Sequence, residues 1–151
     1  MSKFDRLIPV ILKNEGGYVN DPNDLGGETN YGISKRRYPD LDIVNLTRDE
    51  AIEIYRRDYW LPEFDEIEDD NAALHIFDMC VNAGQYRAVR LAQKVAHAYE
   101  DGLMGPATVR AINNSVGFVD HYKGARIRFY QNLNNPHFLK GWINRVNNTK
   151  V

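Results

Sequence analysis

Glu15 is the residue whose type and position most directly suggest chemistry. At helical spacing it falls within the stripe made by Phe4, Ile8, Ile11 and Leu12, yet it is a carboxylate at a helix end, followed at once by Gly16 and Gly17. Burial beside apolar groups and the negative end of a helix both disfavour a charged carboxylate. An acid is kept protonated in this way to serve as a general acid near neutral pH. The same position also suits a side chain that swings out to solvent as the helix frays before two glycines, so position alone leaves both readings open. The next carboxylates, Asp21, Asp24 and Glu28, stand among Gly26, Gly27 and Gly32, where missing side chains allow a ligand to approach the backbone. Glycoside hydrolysis commonly needs one protonated acid and one ionised carboxylate across the scissile bond, so Glu15 with Asp24 or Asp21 is the candidate pair. A calcium loop read from Asp21 fails, because Leu25 takes the fifth ligand position and Gly32 stands where the bidentate glutamate belongs.

His75, Asp78 and Asn82 share one narrow polar face of an otherwise apolar helix. That face suits a cleft lining, a buttress for the Glu15 loop, a buried structural network or a solvated stripe. As metal ligands, His75 and Asp78 lack a third partner, so no metal site is expected. Sugar rings stack on aromatic faces, and Tyr18, Tyr31, Tyr59 and Trp60 lie near the glycine-rich loop or at a helix end. Core packing accounts for each of them separately, and Tyr31, set between turn residues, is the one expected to be exposed.

Positioning these groups falls to helices. The pattern predicts helices from residue 2 to about 14, with Ser2 and Asp5 at its cap and an irregularity at Pro9, and from 47 to about 60, with Thr47 and Glu50 as a capping box. A central buried helix follows over about 71–81, then helices over about 85–99, 106–113, 117–133 and 136–147. Between them, residues 17–34 read as turns around a small loop or β-hairpin. The expected fold class is mainly α, a compact helical fold with that one small irregular or β-containing region. Asp101-Gly102-Leu103-Met104-Gly105-Pro106-Ala107-Thr108 reads as a turn, with Gly102 closing one helix and Pro106 opening the next.

The chain has 151 residues, 43% hydrophobic and 26% charged, enough for one real core. A formal net charge of −2 removes the electrostatic footprint of a general nucleic-acid binder. The single cysteine, Cys80, excludes an internal disulfide and reads as a buried core residue. The apolar run Leu7–Leu12 contains Pro9 and is too short for a signal peptide or a membrane span. The expectation is a cytoplasmic chain with no membrane insertion, which needs help to reach an extracellular or periplasmic target.

Glu15-Gly16-Gly17-Tyr18, Asp21-Pro22-Asn23-Asp24, Gly26-Gly27-Glu28-Thr29-Asn30-Tyr31-Gly32-Ile33-Ser34, Tyr59-Trp60, Phe77-Asp78 with Asn82 and Gly84, and Gly141-Trp142 together resemble glycoside hydrolase family 108. The resemblance implies a lysozyme-like muramidase of peptidoglycan in which Glu15 is the catalytic acid. A fainter likeness to phage-type lysozymes makes Asp24 the provisional second carboxylate. There the pattern slips by one, since Asn30 stands where that family has threonine and Thr29 comes one residue early. Thr29, Tyr31, Tyr59, Trp60, Asp78 and Asn82 are the expected substrate-binding residues. The resemblance further implies a catalytic lobe over 1–90 packed as one unit with a C-terminal helical lobe over 91–151, similar to peptidoglycan-binding domains. No cofactor is required by this chemistry. The expected role is a phage or prophage endolysin, monomeric, held in the host cytoplasm until a holin opens the membrane. The alternatives are a lytic transglycosylase on the same bond and a non-catalytic peptidoglycan-binding module.

Overall fold

A computed structural model describes residues 1–23 and 27–151. Among them it contains seven α-helices and one small antiparallel sheet. The first helix, α1 (Lys3–Glu15), begins at a reciprocal capping box, Ser2 accepting from the Asp5 N–H while the Asp5 carboxylate accepts from the Ser2 N–H. Pro9 does not interrupt it. The residue lies on the exposed side, where water can reach the carbonyl that loses its partner. Gly16, at φ 76°, ends the helix, and its N–H donates to the Leu12 carbonyl at 3.0 Å. Glu15 is therefore the last residue of α1, one beyond the expected end.

The sheet orders β1 (Val19–Asn20), β2 (Glu28–Asn30) and β3 (Ile33–Ser34), with Val19 opposite Thr29 and Thr29 opposite Ser34. Alternation along β2 puts Thr29 and Asn30 on opposite faces. Asn30 turns inward, and its amide donates to the Ile43 carbonyl at 3.0 Å, fastening the sheet to the following loop. The one-residue slip from the phage-lysozyme pattern thus falls on a buried structural amide.

Helix α2 (Arg48–Asp58) starts at the expected Thr47–Glu50 box, and a 3-10 turn over Pro62–Glu66 follows it. Helix α3 (Asp70–Ala83) is central. Residues 72–80 are buried without a break, because α1, α4 (Gln85–Val95), α6 (Phe118–Asn132) and the 3-10 turn all pack on it. Cys80 lies within that stretch, where burial pushes its thiol up to about 12. Helix α4 stops four residues before the expected end, because His97 takes a left-handed conformation at φ 58°. Tyr99, at the end of the expected helix span, lies beyond α4 and is 84% exposed. Helices α5 (Pro106–Asn114) and α7 (Pro136–Asn148) complete the fold, with α7 laid on α6. One hydrophobic cluster runs from Phe4 of α1 to Val146 of α7, so both ends of the chain share a core.

Candidate active site

The end of α1 delivers Glu15 to the point where the β2–β3 turn crosses it. Gly32 in that turn, at φ +80°, leaves room that a side chain would take, since a Cβ there would lie 2.7 Å from Glu15 Cγ and Cδ. Tyr31 is also left-handed, at φ 53°, and its carbonyl accepts from the Tyr55 hydroxyl at 2.6 Å. Burial, followed by the charge of nearby Glu15, pushes the Tyr55 phenol up, so it remains a donor. The turn is thereby pinned between α2 and the Glu15 side chain.

The apolar surroundings expected of Glu15 are only half of its environment. Arg145 of α7 donates from Nη2 to Glu15 Oε1 at 2.9 Å, and the Glu15 side chain keeps 18% of its surface exposed. The same guanidinium grips Asp78, with Nη2 at 2.8 Å from Oδ1 and Nε at 3.0 Å from Oδ2. Arg126 of α6 binds Asp78 Oδ2 at 2.8 Å from the other side, and Asn14 donates to Oδ1 at 3.1 Å. Burial alone would raise the Asp78 carboxyl, but Arg145 and Arg126 outweigh it and hold the group well below the usual carboxylate range. Burial would likewise lower Arg145, yet Asp78 and Glu15 together keep it above its ordinary value. Two carboxyl groups, Glu15 and Asp78, and two guanidiniums, Arg145 and Arg126, thus form one interleaved cluster.

His75 completes this group. Its Nδ1 lies 3.1 Å from Arg126 Nη1, and burial, then the Arg126 charge, lowers it to about 4, so it accepts as a neutral imidazole. Thr149 ties the far side, accepting from Asn14 at 3.0 Å and donating to the Arg145 carbonyl at 2.7 Å.

One expected substrate residue, Asp78, requires correction, and Trp60, though partly exposed, packs against the core as its alternative reading had it. Asp78 is fully buried with both oxygens engaged, because its helix is packed on several sides, so it supports Glu15 through Arg145 and does not line a cleft. His75 and Asp78 both turn to Arg126, leaving the pair that could have held a metal facing a cation. Trp60 belongs to an aromatic cluster, its ring 5.4 Å from Phe4, 5.0 Å from Phe64 and 5.1 Å from Phe77. It packs the core. Asn82, partly buried, accepts from the Tyr130 hydroxyl at 2.5 Å, while Tyr130 stacks on Trp142 at 5.2 Å.

Thr29, Tyr31 and Tyr59 keep partial exposure around the site. Tyr59 lies one ring beyond Tyr55, at 5.4 Å, with the Arg37 guanidinium 5.1 Å above it. Tyr18 is exposed and donates to Glu28 Oε2 at 2.7 Å, so Glu28 is held on the sheet. Asp21 accepts from the Asn23 N–H at 2.9 Å, capping its own turn. Asp24 lies outside the described residues. A hollow of about 600 Å³ opens on the other side of Arg145, lined by Lys13, Asn14, Gly141 and Asn148 among others.

Sequence reasoning missed Arg145 and Arg126. The signal for Arg126 was present, since it stands four residues after Tyr122 and four before Tyr130 on the apolar face of its helix, as Asp78 does on α3. A cation and an anion on two apolar stripes are candidates for one buried pair. The Asp101–Thr108 turn closes around a third missed residue, Gln93. Its buried amide donates to Asp101 Oδ1 at 2.8 Å and Thr108 Oγ1 at 3.1 Å and accepts from the Gly102 N–H at 2.9 Å.

A lysozyme-like helical body with a small sheet, and Glu15 at a helix end against that sheet's turn, fit the class of the glycoside hydrolases. The family model described as glycosyl hydrolase 108 matches residues 8–84, just over half of the chain, which therefore belongs to that family. A second model, described as a predicted peptidoglycan domain, matches residues 87–147. The solved structure of Brucella abortus SagA is similar, with a TM-score of 0.80 and 28% identity over 97% of this chain and 90% of that one. None of the curated proteins matches. The chain is a glycoside hydrolase directed at peptidoglycan.

Proposed function

We propose that the protein is a muramidase that cleaves the β-1,4 bond between N-acetylmuramic acid and N-acetylglucosamine, with Glu15 as general acid. The observation that carries this reading is the placement of Glu15, at the end of α1, against Gly32 and under Arg145. Arg145 holds Oε1, and among the described residues no hydrogen bond is made to Oε2, the oxygen that presents the proton. As the bond between the anomeric carbon and the bridging oxygen breaks, Glu15 gives its proton to that oxygen. Water then adds to the anomeric carbon, its surplus proton passing back to the Glu15 carboxylate directly or through the provisional Asp24, and leaves a reducing end. The carboxylate left on Glu15 is the species Arg145 stabilises, so the ion pair strengthens as the proton leaves. Asp78, by claiming Arg145 with two contacts, fixes the fork that reaches Glu15.

Thr29, Tyr31 and Tyr59 are the side chains proposed to face the sugar, and Asp24 is the provisional group that orients water or stabilises positive charge. The biological role proposed is that of a phage or prophage endolysin, a monomer that waits in the host cytoplasm until a holin admits it to the wall.

Digestion of purified peptidoglycan by wild type, Glu15→Gln and Asp24→Asn, with fragments identified by mass spectrometry, tests the reading. Reducing-end muropeptides from the wild type that vanish in Glu15→Gln are expected. Anhydro ends would instead assign the chain to the lytic transglycosylases, and full activity in Glu15→Gln would remove that residue as the acid.

A further inference from the structure

A groove lies between α4 and α6, outside the Glu15 site, as a hollow of about 730 Å³ whose floor is Leu91, Val95, Ala125 and Phe129. Beyond Leu91, Lys94 and Phe129, which line both, it continues into a second hollow of about 440 Å³ along the same helix. The rim is cationic. Lys94 and Arg128 flank the first hollow with His97 and His121, and Arg87 and Arg90 flank the second. Against them stand Asp120 and Glu100, the latter 4.0 Å from Arg90. In a chain whose formal net charge is −2, this is a local excess of positive charge over an apolar floor. Arg87 lies with its guanidinium 5.7 Å from the Phe129 ring, so this cation is held over the floor, while Arg90 rests on Tyr86 at 5.6 Å.

We infer that this groove binds the stem peptide of peptidoglycan, its carboxylates on Lys94, Arg128, Arg87 and Arg90 and its methyl and aliphatic groups on the Leu91–Phe129 floor. The inference rests on the reading of peptidoglycan as substrate. Charge complementarity selects an anionic occupant. The apolar floor selects a peptide over a polyphosphate wall polymer, which has no comparable aliphatic surface to bury. Length agrees as well. From Arg87 to Val95 the helix advances about 12 Å, at 1.5 Å per residue, close to the reach of about four extended peptide residues. The groove would hold the wall by its peptides while Glu15 acts on its glycan, separating retention from cleavage.

The test measures co-sedimentation of the full chain in a Glu15→Gln background. The probes are intact sacculi and sacculi stripped of stem peptides by an amidase. Retention is expected to fall at least tenfold on the stripped glycan, and to the same extent on intact sacculi with Lys94→Glu/Arg128→Glu. An Arg48→Glu/Arg110→Glu variant, which carries the same net charge with the reversals at exposed sites elsewhere, is expected to sediment as the parent does. On peptide-free glycan, Lys94→Glu/Arg128→Glu in the wild-type background should cleave as fast as wild type. Equal retention on stripped sacculi, equal loss in the control variant, or displacement by a polyphosphate but not by a free stem peptide would each overturn the inference. Absence of cleavage by wild type, with retention following the expected pattern, would overturn the catalytic reading and leave the groove standing.

Discussion

Gly32 and Glu15 are in contact across the mouth of the site. A Cβ built on Gly32 meets Glu15 Cγ and Cδ at 2.7 Å and the Tyr55 hydroxyl at 2.5 Å, at a φ of +80° that L side chains rarely adopt. Gly32→Ala must therefore move the glutamate, the tyrosine or the turn. We expect activity on peptidoglycan to fall about 100-fold, as a displacement of about 1 Å at a catalytic group does, with about 1–3 kcal/mol of stability lost to backbone strain. Turnover of soluble muropeptide oligomers and a urea titration measure the two effects. Wild-type turnover in a folded Gly32→Ala protein would show that the proposed acid does not depend on this contact.

Arg145 serves two carboxylates, so its loss should have two signatures. Arg145→Ala leaves the fully buried Asp78 with Arg126 as its remaining cation, and removing one partner of a buried pair costs about 3–5 kcal/mol. Arg145→Lys retains charge without the planar fork that reaches both Asp78 and Glu15, so it should recover part of the stability while kcat stays low and KM changes little. Thermal melts beside steady-state kinetics separate these outcomes, and a lysine variant with wild-type kcat would reduce Arg145 to a structural role.

Acid should weaken the fold in a window set by His75. Its imidazole, lowered from 6.5 to about 4 by burial and Arg126, binds fewer protons folded than unfolded between those values. Stability therefore rises with pH across that interval and is lost as pH falls through it, by roughly 3 kcal/mol at one pKa unit per 1.4 kcal/mol. Asp78, also held low, adds a further loss below its ordinary carboxylate range of about 4. Denaturant titrations from pH 7 to pH 4 check this, with His75→Gln expected to flatten the slope. An unchanged slope would remove His75 as the cause.

The helix map was legible because it depends on local signals: two capping boxes, Pro106 and Pro136 at first turns, and the apolar period of α3. Helix α4 ended early because His97 adopts a left-handed conformation that no glycine announced. Glu15 stood out as a carboxylate on an apolar stripe. Its partner did not, because a sequence shows which residue needs a counter-charge but not which helix, 130 residues away, supplies it. The cleft-lining reading of Asp78 failed for a related reason. A carboxylate beside a site motif has the same letter whether it faces a sugar or, as here, Arg126.

Trp60, partly exposed and packed against the core, lets its two readings be told apart. Packed edge-on to Phe4, Phe64 and Phe77, it should behave as a core residue, and Trp60→Ala should cost about 3–5 kcal/mol. In the protein that remains folded, KM for glycan fragments should be unchanged. A raised KM without loss of stability would return Trp60 to the substrate face.

The bridge from Arg145 to Glu15 and Asp78 spans the two matched segments, since both carboxylates fall within residues 8–84 and the arginine within 87–147. Recombination between cell-wall enzymes that kept the first segment and exchanged the second would hand the proposed acid to a new neighbour with no cation for it, and would strand a buried anion as well. Only a replacement that brought an arginine to the same spot would yield a working chimera. The two segments are thus coupled through one arginine, and neither is free to change its partner without cost to the other.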